Sequence, residues 1–256
     1  MKYFYVKKLI QIISFSPFII NLIYAQTHLY SDPYYLLISE KNQFQGKIPN
    51  QSNLFRPIFN NTDSVAFSFR LRNEGYYNDN APNQENMDVR YFSKGFGNFN
   101  SIQLAINSPY FSLLLEPYNK INHFFNINSV KRDGPFKVLN DQNLAKNEKN
   151  NGNMRNLLAV FHYKGLGFGW HKGNRWWGPG IHTSFQMTNN TQPFMGQIIG
   201  TVQELRIGPV GLFGFYTFAN LNDETGAKAE YFTSLNGQIT WYSSIHLTIG
   251  FSRNYL

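Results

Sequence analysis

Four stretches of this chain alternate strictly between apolar and polar residues. Val65, Phe67, Phe69 and Leu71 are interleaved with Ala66, Ser68, Arg70 and Arg72. Ile102, Leu104 and Ile106 are interleaved with Ser101, Gln103, Ala105 and Asn107. Leu235, Gly237, Ile239 and Trp241 enclose Asn236, Gln238 and Thr240, and Ile245, Leu247, Ile249 and Phe251 enclose His246, Thr248 and Gly250, with Ser252 following. An extended backbone throws successive side chains to opposite sides, so a period of two defines strands with one apolar and one polar face. The chain is therefore built from β-strands.

Composition narrows the class. Aromatics reach 17% and charged residues only 15%, the reverse of a disordered chain. A mean hydropathy of −0.37 excludes a bundle of membrane helices, each of which needs about 20 apolar residues in a row. The absence of cysteine excludes disulfide frameworks, thiolate metal sites and cysteine nucleophiles. Two all-β architectures remain. A soluble sandwich would turn the polar faces to water. A membrane barrel would turn the Phe-, Leu-, Ile- and Trp-rich faces to lipid and gather aromatics near strand ends. Tyr91, Tyr110, Tyr118, Tyr163, Trp176, Trp177 and Tyr242 stand near such ends and favour the barrel. The connections agree with it. Asn107-Ser108-Pro109, Gly208-Pro209 and Tyr242-Ser243-Ser244 read as tight turns, whereas residues 119–155, rich in Asn and Lys, read as a long polar loop. Short turns at one end and long loops at the other are the pattern of outer-membrane barrels.

The beginning of the chain fits an exported protein. Lys2, Lys7 and Lys8 precede a mostly apolar stretch that closes on Ile23-Tyr24-Ala25, as in a secretory signal peptide spanning residues 1–25. The formal charge of +8 minus those three lysines leaves +5. The remaining basic residues are scattered, without the stripe that nucleic acid requires. Lipopolysaccharide phosphates or an acidic polysaccharide suit an exported basic chain better. Residues 26–61 form a leader, in which Asp32-Pro33 before Tyr34 to Ile38 predicts a capped short helix. Residues 62–256 hold the strands, about eleven of them at roughly ten residues a strand.

One segment stands apart. Leu166, Phe168 and Trp170 share one strand face, and Gly165, Gly167 and Gly169 share the other, which continues through His171, Gly173 and Arg175. Glycine on the inner face admits close neighbours. Trp176, Trp177, Gly178, Pro179 and Gly180 follow as a turn, and Asn189-Asn190-Thr191-Gln192-Pro193 comes after a short strand. Arg175-Trp176-Trp177-Gly178-Pro179-Gly180 followed by Asn189-Asn190 and Pro193 resembles the signature of the capsule assembly Wzi family. Phe55-Arg56-Pro57 adds a weaker match. The resemblance implies an antiparallel outer-membrane barrel with a small helical element on the periplasmic side. It implies a lectin-like role in attaching capsular polysaccharide at the surface of a Gram-negative-type bacterium, beside polysaccharide export machinery, with no enzyme activity. It also implies a barrel larger than these strands can close, so the chain is expected to be an N-terminal fragment of a longer one.

The residues themselves are chemically suited to saccharides. Sugar rings stack on indoles, and their hydroxyls bond to Asn, Arg and Lys. The candidate polysaccharide-binding residues are Arg175, Trp176, Trp177, His171, Lys172, Asn189 and Asn190. The same tryptophans could instead serve as interfacial anchors above a Gly-Pro-Gly turn. No cofactor is expected. His162, His171 and His182 lack short ligand spacing, so no metal site is expected. Asp223-Glu224 is the only adjacent carboxylate pair and sits in a loop, so nothing marks a glycosidase dyad. The lipase G-x-S-x-G elbow is absent. A porin-type channel for small solutes is the alternative function.

Overall fold

The computed structural model describes residues 33–47, 54–55, 65–79, 88–90, 94–125, 147–179, 184, 186–188, 192–221 and 230–255. Residues 1–25, expected from the sequence to be a signal peptide, and Asp32, Tyr91, His182, Asn189, Asn190 and Asp223-Glu224 lie outside them.

The leader helix runs longer than its sequence signal. α1 spans Pro33–Phe44. It ends where Gly46 takes φ +67°, a left-handed position that costs glycine nothing. Gly46 N–H donates to the Gln43 carbonyl at 2.9 Å and Lys47 N–H to the Asn42 carbonyl at 2.9 Å. These two bonds form a Schellman cap, which occupies carbonyls the helix leaves open.

Among the described residues ten strands follow: β1 (Ala66–Asn78), β2 (Gly95–Asn107), β3 (Phe111–Phe124), β4 (Asn147–Tyr163), β5 (Leu166–Gly173), β6 (Phe194–Thr201), β7 (Leu205–Ile207), β8 (Val210–Leu221), β9 (Glu230–Tyr242) and β10 (His246–Tyr255). They form one antiparallel sheet in the order β1-β2-β3-β4-β5-β6-β8-β9-β10, with the short β7 paired to β8. The sheet is open, with β1 and β10 at its edges.

Every alternation read from the sequence is a strand, and the apolar set is the exposed one. Leu71 is 67% exposed, Phe168 55% and Ile249 69%. Facing the other way, Ser101, Gln103 and Asn107 of β2 and Ser234, Asn236, Gln238 and Thr240 of β9 are buried. This is the reverse of a water-soluble sheet, in which burial of apolar area is the main driving force.

The connections fall into two groups. Residues 108–110, 164–165 and 243–245 are short turns at one end of the sheet, where the eight residues 202–209, carrying β7, also connect β6 to β8. Lys164 and Gly165 both have positive φ, 49° and 83°, as a two-residue type I′ hairpin requires. Residues 79–94, 125–146, 174–193 and 222–229 connect strands at the opposite end and are longer than the short turns.

The 119–155 stretch is not a single loop. β3 continues to Phe124 and β4 begins at Asn147, with Asn119 opposite Asn151 and His123 opposite Asn147. This part of β3 carries Asn119 on one face and Lys120 and Asn122 on the other, so its hydropathy shows no period for sequence reading to detect.

Candidate functional site

The buried polar face divides into two sites. The first lies on β1 to β4 and centres on Glu116. Its carboxylate accepts from Ser101 Oγ at 2.8 Å, from Gln103 Nε2 at 3.3 Å, from Arg155 Nη1 at 2.7 Å and from Asn156 Nδ2. Arg155 and Asn156 are adjacent in sequence, yet both side chains turn inward. The cause is a β-bulge, because the pairing passes from Glu116↔Asn156 to Pro117↔Met154 and leaves Arg155 without a partner residue. Proline has no N–H for the ladder, and an extra residue on the facing strand re-aims its side chain.

Arg155 continues the network. Its Nη2 and Nε donate to Asp88 Oδ2 at 2.7 and 3.1 Å. Asp88 also receives Arg90 Nε at 3.3 Å, and Arg90 Nη1 reaches both oxygens of Glu74, at 3.1 and 3.0 Å. Arg72 Nη1 closes on Glu74 at 3.1 Å. Three guanidinium groups therefore alternate with three carboxylates, and each buried charge has a partner, as burial demands. Asp88 and Val89, described between β1 and β2, lie on the inner side, with Val89 packed beside Phe99 and Tyr118. Sequence reading missed this network, since its members come from three strands and one connection.

The second site is made by the segment after β5. Trp177 N–H donates to the Met187 carbonyl at 3.1 Å, and Ser184 Oγ donates to the Trp177 carbonyl. Trp177 also bridges antiparallel to Phe55 of the leader. Phe55 N–H in turn donates to Gln238 Oε1 of β9 at 3.1 Å. Around this bridge Phe55, Trp177, Phe213, Phe215, Ala219 and Phe232 form an apolar cluster on the buried face of β8 and β9. The Trp177 ring stacks on Phe232 at 6.3 Å and meets Phe215 at 5.7 Å.

Trp176 and Trp177 are thus 1% and 2% exposed. They are packing residues in this arrangement, and neither indole offers a free face for an interfacial anchor or a stacked sugar. Tyr118 is likewise buried, stacked on Phe99 at 5.4 Å. Tyr110 and Tyr163 do stand exposed near the short-turn end, stacked at 5.9 Å.

The remaining candidate residues divide by strand parity. His171 and Arg175 are buried on the inner side, and Lys172 lies on the opposite face, half-buried. Arg175 folds its guanidinium over the Phe194 ring at 4.3 Å. Its Nη1 and Nη2 donate to the carbonyls of Gly173 and His171 at 3.3 and 3.4 Å. Asn189 and Asn190, outside the described residues, cannot be placed beside it.

His162 Nε2 lies 2.9 Å from Ser112 Oγ, which also bonds to Asn107 Oδ1. Ser112 and Asn107 are both 0% exposed, and the hydroxyl is engaged by both of these partners. Among the described residues, no three His, Asp or Glu side chains converge as metal ligands.

The architecture defines an antiparallel β-protein of inverted polarity, with apolar side chains outside and charged ones within. No protein-family model, no curated protein and no solved structure matches this chain.

Proposed function

We propose that this chain forms part of a transmembrane barrel in the bacterial outer membrane and acts, without catalysing a reaction, in attaching capsular polysaccharide to the cell surface. The observation that carries the membrane reading is the inverted polarity: Phe67, Leu104, Phe168 and Ile239 face outward while Ser101, Glu116, Asn236 and Thr240 are buried. Strand length supports it. A strand of 13 residues, as in β2 and β9, rises about 44 Å and at a 45° tilt covers about 31 Å, enough for the roughly 25 Å apolar band. The gathering of the short turns at one end also supports it.

The capsule reading rests on the resemblance carried by Arg175 to Gly180 and Asn189 to Pro193. Export machinery and lipopolysaccharide are its natural neighbours at that surface. The balanced charges on β1 to β4 favour, as a second reading, a channel for small solutes. Against an open channel, the Trp177 cluster fills the buried side of β8 and β9.

The deciding experiment deletes the full reading frame in the source organism and compares cell-bound with released polysaccharide. Unchanged total polymer that shifts into the medium is the expected result. An unaffected cell-bound fraction refutes the capsule role, and single-channel conductance in planar bilayers then tests the second reading.

A further inference from the structure

We infer that Arg175, together with His171 and Asn174, forms an oxyanion site on the buried face of the sheet that takes the carboxylate of an acidic saccharide. This deepens the polysaccharide reading and rests on it.

Two arginines are buried among the described residues, and they are treated differently. Arg155 has two carboxylates, Asp88 and Glu116, each at 2.7 Å. Arg175 is 3% exposed and has none; its Nη groups reach only two backbone carbonyls, at 3.3 and 3.4 Å. Its Nε has no hydrogen-bond partner. The Phe194 ring below it offers π-density but no acceptor for an N–H. An uncompensated buried guanidinium is unfavourable, so the position calls for an anion.

The neighbouring groups are unpartnered as well. His171 is 1% exposed, and neither of its ring nitrogens has a hydrogen-bond partner; the same holds for Asn174 Oδ1. Two glycines make room for these side chains. A Cβ at Gly173 would lie 2.5 Å from His171 Nε2, and one at Gly196 would lie 3.0 Å from Arg175 Nη2. Since β5 and β6 pair His171 with Gly196 and Gly173 with Phe194, the cradle is built by two adjacent strands and the residues just after the first.

The chemistry selects the ligand class. A guanidinium edge offers parallel N–H donors that match the two oxygens of a carboxylate. A ring nitrogen of His171 can donate to the same anion, and Asn174 Oδ1 can accept from a hydroxyl beside it. An acid group flanked by hydroxyls is what a uronic acid presents.

The test titrates the full-length protein, purified in detergent, with tetragalacturonate, neutral maltotetraose and inorganic phosphate, reading intrinsic tryptophan fluorescence. Tetragalacturonate is expected to bind at least about tenfold more tightly than maltotetraose, and Arg175→Gln to remove that preference. Arg175→Lys keeps the charge without the fork and should retain part of it, which covers the case in which Arg175→Gln does not fold. Lys164→Gln, in the short turn at the far end of β5, should bind as wild type. Equal affinity for the two saccharides overturns the oxyanion site while leaving the polysaccharide reading intact. Phosphate binding as tightly as tetragalacturonate overturns the assignment to a saccharide acid. Binding of neither saccharide counts against both.

Discussion

Arg155 is the residue that β4 skips as it passes Pro117, and that skip aims its guanidinium at Glu116, 2.7 Å away. A proline that removes one ladder hydrogen bond thus creates the geometry in which two consecutive residues, Arg155 and Asn156, grip one carboxylate. The arrangement is costly to break from one side, because the partner left behind stays buried.

Glu116→Ala is expected to destabilise the protein by about 3–5 kcal/mol. Arg155→Lys should fall between that variant and wild type, since an ammonium cannot fork toward both Asp88 and Glu116. The urea midpoint in lipid vesicles measures both. A midpoint for Glu116→Ala equal to wild type would remove the network from any account of stability.

Phe168→Arg separates membrane from water. For a side chain facing water the change should lie within about 0.5 kcal/mol of neutral. In a bilayer it should cost about 2–4 kcal/mol near the midplane. Unfolding from vesicles is the measurement, and an unchanged midpoint there would sink the membrane reading.

The four tryptophans report the same boundary optically. Trp170 and Trp241 are exposed on the apolar face, whereas Trp176 and Trp177 are buried. Brominated lipids should quench the first pair and spare the second. Single-tryptophan variants resolve which residue responds.

Gly169→Ala is expected to be disruptive, because a Cβ there would lie 2.1 Å from the Ala159 carbonyl oxygen and 2.7 Å from Val160 Cα. Backbone must move, at a cost of about 1–3 kcal/mol. Gly75→Ala meets nothing within 4 Å and should be close to neutral. Heat-modified mobility of the two variants on gels provides the comparison.

Gly250→Ala tests the leader. Its Cβ would lie 2.2 Å from Leu54 Cδ2 and 3.0 Å from Phe55 Cε2. The expected outcome is displacement of residues 54–55 from the sheet and faster chymotryptic cleavage after Phe55, which is 5% exposed, with the strands left folded.

The strands of this fold were legible wherever one face is apolar, as at Phe67, Phe69 and Leu71 or at Leu247, Ile249 and Phe251. The outer parts of β3 and β4 were not, because Asn119, Lys120 and Asn122 give no period to follow. The inward course of Trp176 and Trp177 was hidden for a different reason. Alternation describes which way a strand's side chains point, and says nothing of a segment that leaves the ladder and folds back across it. Arg155 was missed because a bulge breaks the very parity on which the reading relies. The inward placement of His171 and Arg175 was legible, since Gly167, Gly169 and Gly173 mark their face in the sequence.

The strand order has an arithmetical consequence. Nine strands lie on the path from β1 to β10, each antiparallel to the next, so the two edge strands run in the same direction. Joined to each other they would make a parallel seam. A second copy in the same orientation would meet them with parallel seams too. A wholly antiparallel cylinder that used this sheet intact would therefore need an odd number of additional strands, the first and last of them running against β10 and β1.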